Sequence, residues 1–176
     1  MAQSISVNGS TLRVLQDDIT LLDVDSFVFY AQHNLALGSG FGGAISMRGG
    51  PAIQEELKQH GSADTTDVVV TGAGELKAKY IVHAIGPRFQ ESQLETKLAT
   101  TVTKVLQAAE EKGVSSLAFP AMGCGFYGVP LETSAKVTLD TIKQYLSGGS
   151  KIKDIVICVL DKREYGPFEK QLASLR

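Results

Sequence analysis

Two glycine-rich segments carry the chemistry most plainly readable in this chain: Gly38-Ser39-Gly40-Phe41-Gly42-Gly43 and Gly123-Cys124-Gly125-Phe126-Tyr127-Gly128. Each follows an apolar run that reads as a strand and precedes a helical apolar pattern. Glycine lets the backbone approach a ligand closely, and the free amides at a helix N-terminus point at an anion. Two such loops in equivalent positions at strand ends would converge on one crevice and could hold a diphosphate between them. Neither is a standard nucleotide fingerprint. The second reads Gly-x-Gly-x-x-Gly, but the acidic residue expected about 20 positions later at a strand end is missing, because that stretch falls inside a predicted helix. No Gly-Lys-Ser/Thr is present, which excludes a P-loop NTPase.

The other reactive side chains are few. His33 and Asn34 follow the third predicted strand, and His33 is a candidate general base, with a solvent-facing loop histidine as the alternative. His83 lies inside an apolar strand and reads as a hydrogen-bonded core residue. Cys124 is expected to have a lowered pKa near a helix N-terminus, but proline at position 130 replaces the arginine that a cysteine phosphatase would need. Cys124 and Cys158 form no CxxC or Cys/His cluster, which argues against structural zinc and a disulfide framework. No metal and no cofactor are expected.

The elements that must position these residues are legible from periodicity. Ser4 to Val7 and Thr11 to Leu15 alternate around Asn8-Gly9, the signature of a hairpin. Phe27 to Ala31 is apolar throughout and predicts a strand buried on both faces. A short helix runs to Met47, and a second spans Ala52 to Gln59 between Pro51 and Gly61. Asp67 to Thr71 and Tyr80 to Ile85 predict two strands. Leu94, Leu98, Val102, Val105 and Ala109 keep a helical period that Gly113 stops. Ser116 to Phe119 is a strand, Leu131 to Leu146 a helix, Ile155 to Leu160 a strand, and Phe168, Leu172 and Leu175 mark a last helix. The alternation predicts an α/β fold, a three-layer α/β/α sandwich on a mixed, largely parallel central sheet, forming one domain over residues 1–176.

Composition fits that reading and narrows the function. The 176 residues carry a formal net charge of −2, so neither general nucleic-acid binding nor membrane-surface binding is expected. The start, Met1-Ala2-Gln3-Ser4-Ile5, has no charged and then apolar signal pattern, and no run approaches a membrane span. The expected location is cytoplasmic.

Taken together, these residues resemble the macrodomain family, modules that bind ADP-ribose and related NAD-derived nucleotides. The resemblance covers nearly the whole chain. It rests on Asp18-Ile19-Thr20, Val24-Asp25-Ser26-Phe27-Val28, the Gly38 to Ile45 loop and helix, Val70 to Leu76, Tyr80 to Pro87, and Ala118 to Gly125. The resemblance implies that Asp18 accepts a hydrogen bond from the adenine amine, with the Ile19 amide alongside. The alternative for Asp18 is a turn residue. Backbone amides of Gly38, Ser39, Gly40, Phe41 and Gly42, through Gly43, and of Gly123, Cys124 and Gly125 through Tyr127 would cradle the diphosphate. Phe126 and Tyr127 would line the distal ribose, or else pack on the sheet. The implied partner is ADP-ribose or an ADP-ribosylated protein.

The departures from the family bear on catalysis. Where the family carries Asn-Ala-Ala-Asn, this chain has Phe29-Tyr30-Ala31-Gln32, so one amide survives as Gln32. Gly42 replaces the aspartate that positions water in members that hydrolyse ADP-ribosyl esters. Leu160 stands where an aromatic residue often stacks on adenine. His33 and Gln32 are the remaining candidates for catalysis. The reading favoured is a binding module. Its alternatives are a hydrolase acting on ADP-ribosylated proteins or on derivatives such as ADP-ribose-1''-phosphate, and a nucleotide-inactive scaffold for protein interaction whose cavity Phe29, Tyr30 and Phe41 fill. Asp at 42 with Asn at 32 is expected to create or raise hydrolysis.

Overall fold

The computed structural model describes residues 3–176; Met1 and Ala2, part of the segment read above for a signal, lie outside the described residues. Among the described residues, seven strands form a single sheet flanked by five α-helices, a three-layer α/β/α sandwich. The strands are β1 (Gln3–Val7), β2 (Ser10–Gln16), β3 (Ser26–Tyr30), β4 (Val68–Gly72), β5 (Tyr80–Ala84), β6 (Ser116–Phe119) and β7 (Asp154–Val159). The helices are α1 (Gly40–Gly49), α2 (Ala52–His60), α3 (Leu94–Glu111), α4 (Leu131–Ser147) and α5 (Lys162–Ser174). Sheet order is β1-β2-β7-β6-β3-β5-β4. The five strands from β2 to β5 in that order run parallel, and β1 and β4 pair antiparallel at the two edges.

The opening hairpin turns on Asn8 and Gly9, both at positive φ, the geometry of a type I′ turn. In β3 every residue is buried, and the strand period of two sends Phe27 and Phe29 to one face, Val28 and Tyr30 to the other. The first face packs with Ile45, Ile53 and Leu57 of α1 and α2. The second packs with Leu98, Val102, Leu139 and Phe168 of α3, α4 and α5. Because β2, β7, β6 and β3 are parallel and adjacent, the segments that leave their carboxyl ends line up along one edge of the sheet. Those segments contain Asp18, Leu160, and the second and first glycine loops, in that order.

Candidate functional site

Asp18 opens the 3₁₀ turn Ile19–Leu21 and caps it, its Oδ1 accepting from the Thr20 N–H at 3.0 Å and the Thr20 hydroxyl at 2.7 Å. Arg48, in the last turn of α1, donates to Asp18 Oδ2 at 2.5 Å. Burial pushes the Asp18 carboxyl upward, but the Thr20 hydroxyl, Arg48 and the Thr20 amide outweigh it, and its pKa falls below the usual carboxylate value. The turn role and an accessible carboxylate therefore coexist in one residue. The Ile19 N–H has no hydrogen-bond partner among the described residues. Across from Asp18 in sheet order, Leu160 leaves the end of β7 with 74% of its surface exposed. Its N–H donates to Glu164 Oε1 while Asp161 caps α5 by accepting from the Glu164 N–H, so two hydrogen bonds on Glu164 fix this corner.

In the first loop α1 starts earlier than the glycine count suggests, at Gly40, so that Gly42 and Gly43 lie within its first turn. Ser39 precedes the helix without capping it through its side chain, which leaves the first-turn amides unpartnered. Gly40 is at φ +61, and the space where its Cβ would stand is open. Phe41 turns its ring inward, stacked on Phe27 at 6.1 Å and edge-on to Phe29 at 5.0 Å, so it offers the crevice its backbone rather than its side chain. Gln32 lies beside this loop: its Nε2 is 3.3 Å from where a Gly38 Cβ would be.

At Gly42 the structure corrects one expectation. A Cβ built there overlaps the Leu37 carbonyl oxygen and lies 2.5 Å from the carbonyl carbon. The chain itself occupies the place from which an aspartate side chain would project, so restoring Asp at 42 cannot simply restore a water-positioning group. Gln54 of α2, a residue that sequence reasoning passed over, pins this segment. It accepts from the Leu37 N–H at 3.0 Å and donates to the Leu35 carbonyl at 3.2 Å.

The second loop closes on itself through Val129 N–H to Gly123 O and Gly128 N–H to Gly125 O, both 3.0 Å. The amides of Gly125, Phe126 and Tyr127 are left without partners among the described residues. Gly125, at φ +80, has open space where a Cβ would point. Phe126 is 83% exposed, whereas Tyr127 packs on Tyr30 at 4.8 Å beneath the Arg88 guanidinium. Cys124 contradicts its expectation: burial pushes its thiol up to about 11, and α4 begins only at Leu131, so no helix terminus adjoins the sulfur.

The histidines divide as their settings dictate. His33 is partly buried, not free in solvent, and its Nε2 lies 3.0 Å from the Thr65 hydroxyl. His83 is fully buried in β5, with Nε2 2.9 Å from Thr71 Oγ1. Phe29 and Phe41 belong to the α1–α2 side of the sheet and Tyr30 to the other. The three rings expected to fill a cavity together are therefore separated by the sheet. Sequence reasoning also missed Arg48, and gave Thr20 no role beyond its place in the Asp18-Ile19-Thr20 motif. No local signal marks the Arg48 pairing, because it joins residues from two different connections.

This architecture is that of an α/β sandwich whose strand-end connections gather along one edge of a largely parallel sheet, the edge at which open α/β sheets bind ligands. Comparison with known proteins is consistent with it. The family described as Macro domain matches residues 30–138. A macro domain-containing protein of Caldanaerobacter subterraneus subsp. tengcongensis is 36% identical over 170 residues, spanning 93% of this chain and 97% of that protein. The O-acetyl-ADP-ribose deacetylase of Cronobacter sakazakii is 33% identical over 169 residues, covering 93% of this chain and 94% of that protein. The structure of the Oceanobacillus iheyensis macrodomain with ADP matches with a TM-score of 0.94 at 26% identity, covering 99% of this chain and 96% of that one. The chain belongs to the macrodomain family.

Proposed function

We propose that this protein binds ADP-ribose, or a closely related NAD-derived nucleotide, as one macrodomain unit acting in the cytoplasm on the free metabolite or on an ADP-ribosylated protein. The observation that carries the reading is the row of unpartnered backbone amides and open glycine faces at Gly40 and Gly125, beside an ionised Asp18 and the free Ile19 N–H. Donors without partners at a sheet edge suit a diphosphate, and a carboxylate next to an N–H suits the amino edge of adenine. The O. iheyensis macrodomain carries ADP on the same fold, which supports a nucleotide in the crevice. Among the described residues no helix is long and apolar enough to cross a membrane.

Hydrolysis is the second reading, favoured by the name of the C. sakazakii relative and opposed by the Leu37 carbonyl against Gly42. Isothermal titration calorimetry with ADP-ribose, ADP and AMP tests the primary reading. Affinity for ADP-ribose clearly above that for AMP is expected. Silence with all three ligands would refute it.

A further inference from the structure

The Asp18 carboxylate is part of a closed network. Its Oδ1 accepts twice from Thr20, which uses both lone pairs of that oxygen. Oδ2 accepts only from Arg48 Nη1, at 2.5 Å, and keeps one lone pair. Arg48 Nη1 spends its second proton on Thr20 Oγ1, also at 2.5 Å. The Arg48 Nη2 and Nε donors have no partner among the described residues, and both side chains reach solvent, Arg48 at 44% and Asp18 at 39% exposure. One open acceptor therefore stands beside open guanidinium donors. That pairing mimics the oxygen and nitrogen of a side-chain amide, the arrangement that reads adenine at its amino group and N7 together. The hydrogens that Arg48 and an incoming amine donate to the same oxygen both lie near the carboxylate plane.

We propose that Arg48 is a base-binding residue of this site that holds N7 of the purine. Adenine donates its amino group to Asp18 Oδ2 and accepts at N7 from the Arg48 guanidinium, leaving N1 to the Ile19 N–H. The inference rests on the nucleotide-binding reading above and adds a contact which that reading lacks. A 6-oxopurine presents an acceptor to the Asp18 carboxylate and is rejected.

The test is calorimetric affinity for ADP, for 7-deaza-ADP, which lacks only the N7 acceptor, and for IDP. The wild-type protein is expected to bind ADP about tenfold more tightly than 7-deaza-ADP, the lower range for one well-placed polar contact to a base edge, and to bind IDP more weakly still. Arg48→Met, which keeps the aliphatic stem, is expected to bind ADP and 7-deaza-ADP alike. Equal wild-type affinity for those two nucleotides overturns the role of Arg48 without touching the proposed function, and needs no variant to fold. Absence of ADP binding overturns the role of Arg48, and silence with ADP-ribose and AMP as well refutes the proposed function.

Discussion

Replacing Gly42 with alanine or aspartate asks whether this chain merely lacks a catalytic side chain or is built without room for one. A Cβ at position 42 overlaps the Leu37 oxygen, so the Leu37 peptide must retreat by about 1–2 Å to reach an ordinary contact. That peptide has little freedom. Leu35 and Leu37 are buried, and Gln54 holds the segment by two hydrogen bonds. Overpacking a well-packed site costs about 1–3 kcal/mol, and each hydrogen bond loosened adds about 1 kcal/mol. Gly42→Ala is therefore expected to lose about 3 kcal/mol in urea denaturation, with an unchanged m-value. Gly42→Asp adds a carboxylate at a buried position and is expected to lose at least as much. Both should bind ADP-ribose more weakly, because the first-turn amides of α1 move with residue 42. Gly42→Asp, alone or with Gln32→Asn, is expected to gain no hydrolysis of an ADP-ribosyl ester. A Gly42→Asp protein of wild-type stability that cleaves such an ester would refute the reasoning.

Three further outcomes follow from the same geometry. Asp18→Ala is expected to weaken ADP-ribose binding by about 1.5–3 kcal/mol, the range for a hydrogen bond to a charged group, while losing about 1 kcal/mol of stability with the cap; unchanged affinity by calorimetry would remove Asp18 from the site. Gly125→Val places a branched side chain at φ +80 in the open face of the second loop and should abolish binding; a folded variant with wild-type affinity would make that loop purely structural. Burial, with His60 nearby, holds the His83 pKa down at about 3, against 6.5 for the free side chain. As pH falls through about 6.5 the unfolded chain takes up a proton that the folded chain refuses, so stability drops by about 2 kcal/mol between about pH 7 and about pH 5. His83→Leu should flatten that slope in denaturation curves at the two pH values, and an equally steep slope in the variant would assign it elsewhere.

What the sequence disclosed tracks how local each cause is. The Asn8-Gly9 turn, the all-apolar β3 and the glycine stops at Gly61 and Gly113 act within a few residues, and each falls where the pattern predicts. The two glycine loops were legible for the same reason, since a strand, a glycine cluster and a helix follow one another directly. Contacts between connections left no such trace. Arg48 meets Asp18 only because the sheet order brings the loops after β2 and β3 to one edge, and Gln54 grips Leu35 and Leu37 only because α1 and α2 fold back on the segment that leaves β3. Cys124 departs from its expectation because α4 starts only at Leu131, and burial rather than a helix terminus sets its ionisation.

The departures from the family pattern are coupled to their surroundings, which bears on whether any of them is a simple loss. Leu35 holds a positive φ of 60°, and the segment it bends runs close enough to α1 that only glycine fits at 42. Tyr30 fills the opposite face of β3 and donates its hydroxyl proton to the Pro87 carbonyl. A Cβ at Gly86 would overlap the Tyr30 ring, and one at Gly123 would come within 3.1 Å of it. Glycine at 42, 86 and 123 is thus required by neighbours that this chain already has, so reverting one position leaves its partner in the way. On the proposed reading, a site in which the backbone fills the place of the water-positioning carboxylate, while the loop amides stay open, is expected to bind nucleotide without that route to hydrolysis. Catalysis, if introduced, has to come from a loop rebuilt from Leu35 to Gly43 rather than from a single side chain.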